Sequence, residues 1–259
     1  MEVAWGFGHN PGIDLPEQSP GTVPTRQWLY YYWKQYKDYW CTHGNANGSY
    51  VQQIAYDDCR TGYQWPPGQA AIAAIGQGYV TVTPLQLARG YAALANGGTV
   101  YSPRIGAALL SPTGKVVQRI KPPVTGHLPV PRWALNYIKN ALIDVVTQGT
   151  AAGAFAGFPL NKVQVAAKTG TAEIFGGQAT SVFASFAPAS HPKYVVVVMV
   201  PKSGEGADVS APCARQIWDS IYGLEGHRAA FPGGAAPRTL PAISASGAIT
   251  APAGYGGTK

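Results

Sequence analysis

The stretch KVQVAAKTGTAEIFGGQATSVFASFAPASHPKYVVVVMVP, residues 162–201, decides how this chain folds. It reads as three strands in quick succession: Lys162 to Phe175, Ser181 to Ala187 and Tyr194 to Pro201. Between the last two, Pro188-Ala189-Ser190-His191-Pro192-Lys193 carries the punctuation of a hairpin turn, so these strands are expected to run antiparallel. The run Val195 to Val200 is apolar on both faces, which predicts a central strand with helices packed on the sheet.

The covering helices can be found on either side of this stretch. Upstream, Thr83-Pro84-Leu85-Gln86 is a helix start, with Thr83 as cap, Pro84 at the first helical position and Gln86 completing a capping box. Leu87, Tyr91, Leu94 and Ala95 form its core stripe, and Gly97-Gly98 ends it. A second helix opens at Pro131, runs through Ala134, Ile138, Ala141, Leu142 and Val145, and stops at Gly149. Downstream, Ser210 to Leu224 puts Ala214, Ile217, Trp218 and Ile221 on one face. The fold class expected is therefore α+β, an antiparallel sheet with helices packed on it.

Farther out the chain changes character. Residues 28–40 hold eight Trp or Tyr in thirteen positions, with Lys34 and Lys37 among them. Leu29, Trp33, Tyr36 and Trp40 recur at helical spacing. Two readings stand: a helix with one buried stripe, or a surface of rings that stack on sugars or rest at a membrane interface. Cys41 and Cys59 flank a polar loop, Thr42 to Asp58, and are either a disulfide or two free thiols. A crosslink closing a loop of that size contributes roughly 3 kcal/mol. Cys213, the third cysteine, reads as a buried small residue on an apolar helix face. No Cys-x-x-Cys occurs and the five histidines are scattered, so no metal site and no cofactor is expected. After Gly226 the sequence becomes Gly/Pro/Ala-rich. The expected division is a domain over 1–225 and a disordered tail over 226–259.

Composition sets outer bounds. The 259 residues are 46% apolar but only 12% charged, about half the usual charged share. The net charge of +7 is spread thinly, and Lys115, Arg119 and Lys121 come with no nucleic-acid motif, so no nucleic-acid partner is expected. A basic surface suits an anionic cell envelope, and simple solubility explains it equally well. No apolar run of about 18 residues exists, and residues 1–5 lack the pattern of a signal peptide.

Chemistry concentrates in Lys168-Thr169-Gly170-Thr171 on the first of the three strands. A cation, a hydroxyl and a glycine at a strand edge suit a carboxylate: Lys168 offers charge, Thr169 an O–H donor, and Gly170 room for a ligand against the backbone. Lys-Thr-Gly is a weak motif alone, but it is one of three that together mark serine acyl-transferases acting on penicillin. Three ordered segments strengthen it. Gly6-Phe7-Gly8-His9-Asn10-Pro11-Gly12-Ile13-Asp14-Leu15-Pro16 resembles the G-F-G-x-x-x-G-I-D-L-P segment of penicillin-binding proteins. Gly76-Gln77-Gly78-Tyr79, leading into Thr83 to Ala88 and Ala95-Asn96-Gly97-Gly98, resembles their GQG…TPLQLA…ANGG segment. Lys168 to Glu173 resembles their third motif. Order and spacing agree from Gly6 to about Tyr222, so the chain resembles the C-terminal portion of the transpeptidase domain of monofunctional (class B) penicillin-binding proteins of the cell-elongation type.

That resemblance implies a penicillin-binding/β-lactamase-like fold and a peptidoglycan D,D-transpeptidase. In the family scheme a serine attacks the penultimate D-alanine of a stem peptide, helped by a lysine one helical turn later. An acyl-enzyme forms, D-alanine leaves, and an amine of a neighbouring stem accepts the acyl group. Lys168 would orient the second-motif serine and add positive charge, Thr169 would bind the substrate carboxylate, and the Thr171 amide would complete an oxyanion hole. Peptidoglycan stem peptides, β-lactams, a glycosyltransferase and the elongation machinery are the implied partners, at the extracytoplasmic face of the membrane.

The chain departs from the family in one respect. The nucleophile motif Ser-x-x-Lys and the Ser-x-Asn both precede the GFG segment in the family, yet neither stands ahead of it here. No Ser-x-Asn occurs anywhere, and the one Ser-x-x-Lys, Ser190 to Lys193, falls in the hairpin turn with Pro192 inside it. The chemistry needs Ser and Lys on consecutive turns of one helix, which that site cannot offer. His191 has no partner to orient it as a base. The catalytic serine and lysine are thus expected to be absent, the N-terminal part of the domain missing, and the chain inactive alone. A non-catalytic module that binds a stem peptide or a cell-wall partner is the alternative.

Overall fold

The centre of the molecule is a three-stranded antiparallel sheet whose middle strand is buried along nearly its whole length. The computed structural model describes residues 2–174 and 176–224, together with the backbone of 242–243 and 249–250. In chain order, a short 3₁₀ turn (Glu2–Trp5) is followed by helices α1 (Arg26–His43), α2 (Tyr50–Thr61), α3 (Pro67–Ala74) and α4 (Pro84–Ala95). Short strands β1 (Thr99–Tyr101), β2 (Ala108–Leu110), β3 (Val116–Arg119) and β4 (Val124–His127) come next, then α5 (Arg132–Thr147). The main sheet is β5 (Ala166–Ala172), β6 (Thr180–Ala187) and β7 (Tyr194–Val200), and a π-helical turn (Gly206–Ser210) leads into α6 (Ala211–Tyr222). β1 pairs with β4 and β2 with β3, each antiparallel with one register shift. A last antiparallel pair joins Ala242–Ile243 to Ile249–Thr250. The rest of the expected tail, 226–259, lies outside the described residues. Among the described residues no helix is long and apolar enough to cross a membrane.

In the main sheet Lys168 pairs with Ala184, and Ala184 with Val197, so β6 is central and β7 lies at the edge. The expectation of a central strand at 194–201 is corrected here. The run of valines reflects coverage of both faces of the sheet, not pairing along both edges of the strand. Side chains alternate across a strand. Ala167, Phe183, Ala187 and Val196 therefore enter one core with Trp218, Phe155 and Val146, while Ala166 and Phe186 enter the other with Leu94, Val100 and Leu135. Buried serines tie the first core together: the Trp218 indole donates to Ser185 Oγ at 3.0 Å, and Ser185 Oγ donates to the Val196 carbonyl. Ser181 Oγ, bonded to Ser210, fixes where α6 begins.

The capping box of α4 forms as read: Gln86 N–H donates to Thr83 Oγ1, and Thr83 N–H donates to Gln86 Oε1. Gln86 is wholly buried, and its amide also donates to the carbonyls of His9 and Pro20, at 2.9 and 2.8 Å. It thereby anchors the Gly6–Pro16 segment, which nothing in the local pattern announced. Asp14 completes the anchoring by accepting from the amides of Ile105 and Gly106, and those bonds hold its carboxyl below the ordinary value.

Three helical faces differ from expectation. In α5 the buried positions are Leu135 and Val146, while Ile138 and Ala141 are exposed; the true stripe is rotated because the sheet and α4 lie on the Leu135 side. In α6 the buried face is Ala211, Ala214, Trp218 and Ile221, leaving Ile217 at 40% exposure. Cys213 stands opposite that face and is an exposed free thiol, which corrects its reading as a buried residue. In α1 only Leu29 is buried, so no continuous stripe exists there.

The segment expected as a polar loop, Thr42 to Asp58, is mostly helix. It contains most of α2, which lies beside α1 in a helical hairpin. Cys41 and Cys59 are joined in a disulfide across this hairpin, with Cα atoms 4.8 Å apart, and the Trp33 indole donates to the Asp58 carbonyl at 2.9 Å. The hairpin leaves and rejoins the body at one neck, where Thr22 and Thr81 exchange backbone hydrogen bonds of 2.8 and 3.0 Å. Gly21 beside the neck has φ +62°, and a Cβ there would collide with the Thr81 carbonyl.

Candidate functional site

The tetrad begins at the third residue of β5, where the strand passes from the buried core to the surface. Lys168 is exposed, and Thr169, Gly170 and Thr171 are half-buried. β5 pairs with β6 alone, so its other edge is open among the described residues. On that strand the Lys168 ammonium donates to the Thr169 carbonyl at 2.8 Å. The ammonium is thereby folded along the edge of its own strand.

Two contacts at this edge come from Thr150, which the sequence did not single out, and from Gln77, which it held only as part of a resembled segment. Thr169 Oγ1 lies 2.7 Å from Thr150 Oγ1, and either hydroxyl can be the donor. Thr150 follows the end of α5, so the helix that packs against β5 delivers it to the tetrad. One hydrogen is used between the two hydroxyls and one remains for a ligand. The second contact is Gln77, from the Gly76-Gln77-Gly78 segment. Its amide donates to the Thr171 carbonyl at 2.9 Å and accepts from the Glu173 amide at 3.4 Å. One side chain thus clamps the end of β5 from 94 residues away. The Gly-Gln-Gly pattern hinted at a role for Gln77, but its partner depends on the tertiary fold.

Beneath the tetrad the backbone approach is tight. A Cβ on Gly206 would strike the carbonyls of Gly170 and Val182, so only glycine lets the start of the π-helical turn seat against β5 and β6. Gly206 N–H reaches Thr171 Oγ1 at 3.4 Å. Ser190 and Lys193 sit in the turn between β6 and β7, both exposed and neither on a helix, so they supply no nucleophile pair. The disulfide cysteines, Cys41 and Cys59, belong to the hairpin and not to this edge.

The arrangement can do a limited amount of chemistry: it offers a cation, a hydroxyl pair and an open strand edge to an extended peptide ending in a carboxylate. The penicillin binding protein transpeptidase domain matches residues 3–219. The peptidoglycan D,D-transpeptidase MrdA of Escherichia coli K12 is 31% identical over 238 residues, covering 84% of this chain and 32% of that protein. A crystal structure of Pseudomonas aeruginosa PBP2 in complex with WCK 5153 superposes with TM-score 0.63 at 26% identity, covering 84% of this chain and 42% of that one. PBP2 of Helicobacter pylori, in a complex with MreC, shares the fold with TM-score 0.62 at 22% identity, over 86% of this chain and 34% of that one. The chain spans about a third of the length of the curated relative it matches.

Proposed function

The chain belongs to the penicillin-binding protein transpeptidase family, and on that premise we propose that it forms the substrate-gripping wall of a cell-elongation peptidoglycan D,D-transpeptidase. The observation that carries this reading is the open edge of β5, with Lys168, the Thr169–Thr150 hydroxyl pair and Thr171 held by Gln77. A stem peptide ending in D-alanine would lie along this edge as an added strand. Its carboxylate would draw on Lys168 and on the free hydrogen of the hydroxyl pair. Within one antiparallel strand the N–H and C=O of a residue point to the same edge. The Thr171 amide therefore faces the way its carbonyl does, and in this reading it would donate to an oxyanion developing beside that edge.

The serine nucleophile and its lysine are to come from polypeptide outside these 259 residues, since the sequence holds no Ser-x-Asn and no helical Ser-x-x-Lys. The relatives are roughly three times as long as the stretch they share with this chain, which is consistent with a nucleophile held elsewhere. β-Lactams would occupy the same edge, as substrate mimics carrying the same carboxylate. In the complete enzyme a glycosyltransferase and the elongation machinery are the partners proposed, at the extracytoplasmic face of the membrane.

A fluorescent-penicillin gel tests the division of labour. No covalent label is expected on this chain, whereas a labelled band that disappears with Ser190→Ala would overturn the assignment. Calorimetric titration with an N-acylated D-alanyl-D-alanine peptide tests the grip. Binding is expected to weaken on Lys168→Ala by about tenfold or more, the scale of one charge-assisted contact. Equal affinity in both forms would remove Lys168 from the site.

A further inference from the structure

The groove between α1 and α2 belongs to no part of the transpeptidase edge. It encloses about 630 Å³, within the range of small-ligand sites. Its walls combine two kinds of surface. One is apolar and aromatic, with Tyr39, Trp40, Val51 and Ile54; the other is hydrogen-bonding, with Asn45 and Asp58. Trp40 is held in place by Tyr32 and Tyr36, at ring-centroid distances of 5.8 and 5.9 Å, and Tyr39 stacks on His43 at 4.1 Å while remaining 59% exposed. The disulfide between Cys41 and Cys59 fixes the two walls relative to each other.

We propose that this groove is a carbohydrate-binding site that takes a short run of neutral N-acetylated amino-sugar units. Rings presented edge and face to solvent offer the flat apolar surface on which the C–H face of a pyranose packs. Val51 and Ile54 suit an acetamido methyl, and the Asn45 amide suits its polar end. No hydrogen bond or ion pair engages the Asp58 carboxylate among the described residues. Burial, and the neighbouring Asp57, push that carboxyl above its ordinary value. A half-buried acceptor without a cation suits sugar hydroxyls and disfavours an anionic ligand.

The observations favour a sugar over a lipid surface. Lipid attachment by charge needs a cluster of about four to eight basic residues on one face. Here four cations and three aspartates nearly cancel over residues 26–61, and two of the cations lie on rings, Lys37 over Trp33 and Arg60 over Tyr56. The exposed rings at 30, 31, 36, 39, 50 and 63 are all tyrosines, which carry hydroxyls and do not make an apolar wedge. The transpeptidase reading bears on this only by suggesting which polymer carries such sugars; the groove itself stands on its own geometry.

Calorimetric titration of the full chain with a hexamer of N-acetylglucosamine, beside sedimentation with neutral and with anionic phospholipid vesicles, tests the proposal. Saturable sugar binding is expected, weakened about tenfold by Tyr39→Ala, the scale of one lost stacking contact. Asp58→Asn, which keeps the shape of the wall, is expected to weaken it as well. Tyr39 is exposed, so its removal leaves the fold intact, and an unchanged circular dichroism spectrum checks this. No saturable sugar binding, or equal affinity in both variants, overturns the proposal. Vesicle binding without sugar binding also overturns it and assigns the rings to a membrane surface. The peptide and sugar titrations are separate readouts, so either can fail while the other stands.

Discussion

The sheet body and the aromatic hairpin hold together by different means. In the body, β5, β6 and β7 lie between two cores, and the largest side chains, Trp218, Phe183 and Phe186, are almost fully withdrawn from water. In the hairpin only Leu29 and Ala55 are buried within its two helices, and most rings contact one another or solvent. The body is stabilised by burial on both sides of a sheet, and loses stability wherever a cavity opens. The hairpin has little core to lose. It relies on a covalent staple, helix caps and ring-on-ring contacts, much as small disulfide domains do.

This contrast can be broken experimentally, most forcefully in the body. Trp218→Ala is expected to destabilise the whole chain by about 3–5 kcal/mol, through the cavity and the lost indole donor to Ser185 Oγ. Urea unfolding followed by far-ultraviolet dichroism measures it, and a loss under about 1 kcal/mol would show that the body does not depend on its core as described. Reducing Cys41–Cys59 should release roughly 3 kcal/mol from the hairpin alone. Hydrogen exchange is expected to speed up over α1 and α2 while β5–β7 stay protected, and uniform acceleration would erase the distinction.

Gln86→Leu sharpens the boundary between the regions. It leaves the carbonyls of His9 and Pro20 without their donor, at an expected cost of about 2 kcal/mol, read as a shift of the urea midpoint. The smallest effect concerns Asp14. Its folded carboxyl lies below the unfolded value, so its contribution is fully present above the ordinary carboxylate range and fades as pH falls through the lowered one. Asp14→Asn should therefore flatten the acid limb of the stability–pH curve slightly. An unchanged curve would mean that the amides of Ile105 and Gly106 find solvent equally well.

The sequence made legible those features whose causes are local or periodic. The capping box at Thr83 and Gln86, the hairpin at residues 188–193 and the tetrad on its strand all follow from neighbouring residues. The family follows from ordered motifs. What stayed hidden depended on partners far along the chain. Gln77 and Thr150 meet the tetrad across 94 and 19 residues, and polar side chains carry no mark of the carbonyl or hydroxyl they will find. The rank of β7 in the sheet was misjudged because valines register burial on two faces, which an edge strand under two helical layers also has. Cys213, Ile138 and Ile217 were misplaced by a fraction of a helical turn, a phase that only the packed neighbour decides.

The neck at Thr22 and Thr81 gives the hairpin one more property. Because the chain closes on itself there, what lies beyond can vary in length without moving a strand of the sheet, as a handle can be exchanged without altering the tool. Gln77 sets the limit on such exchange, since it lies beyond the neck yet reaches back to Thr171. Residues 26–63 meet the stretch from α3 to the neck through Trp28 and Tyr32, each 5.4 Å from Tyr79, so any replacement has to keep both that ring contact and Gln77.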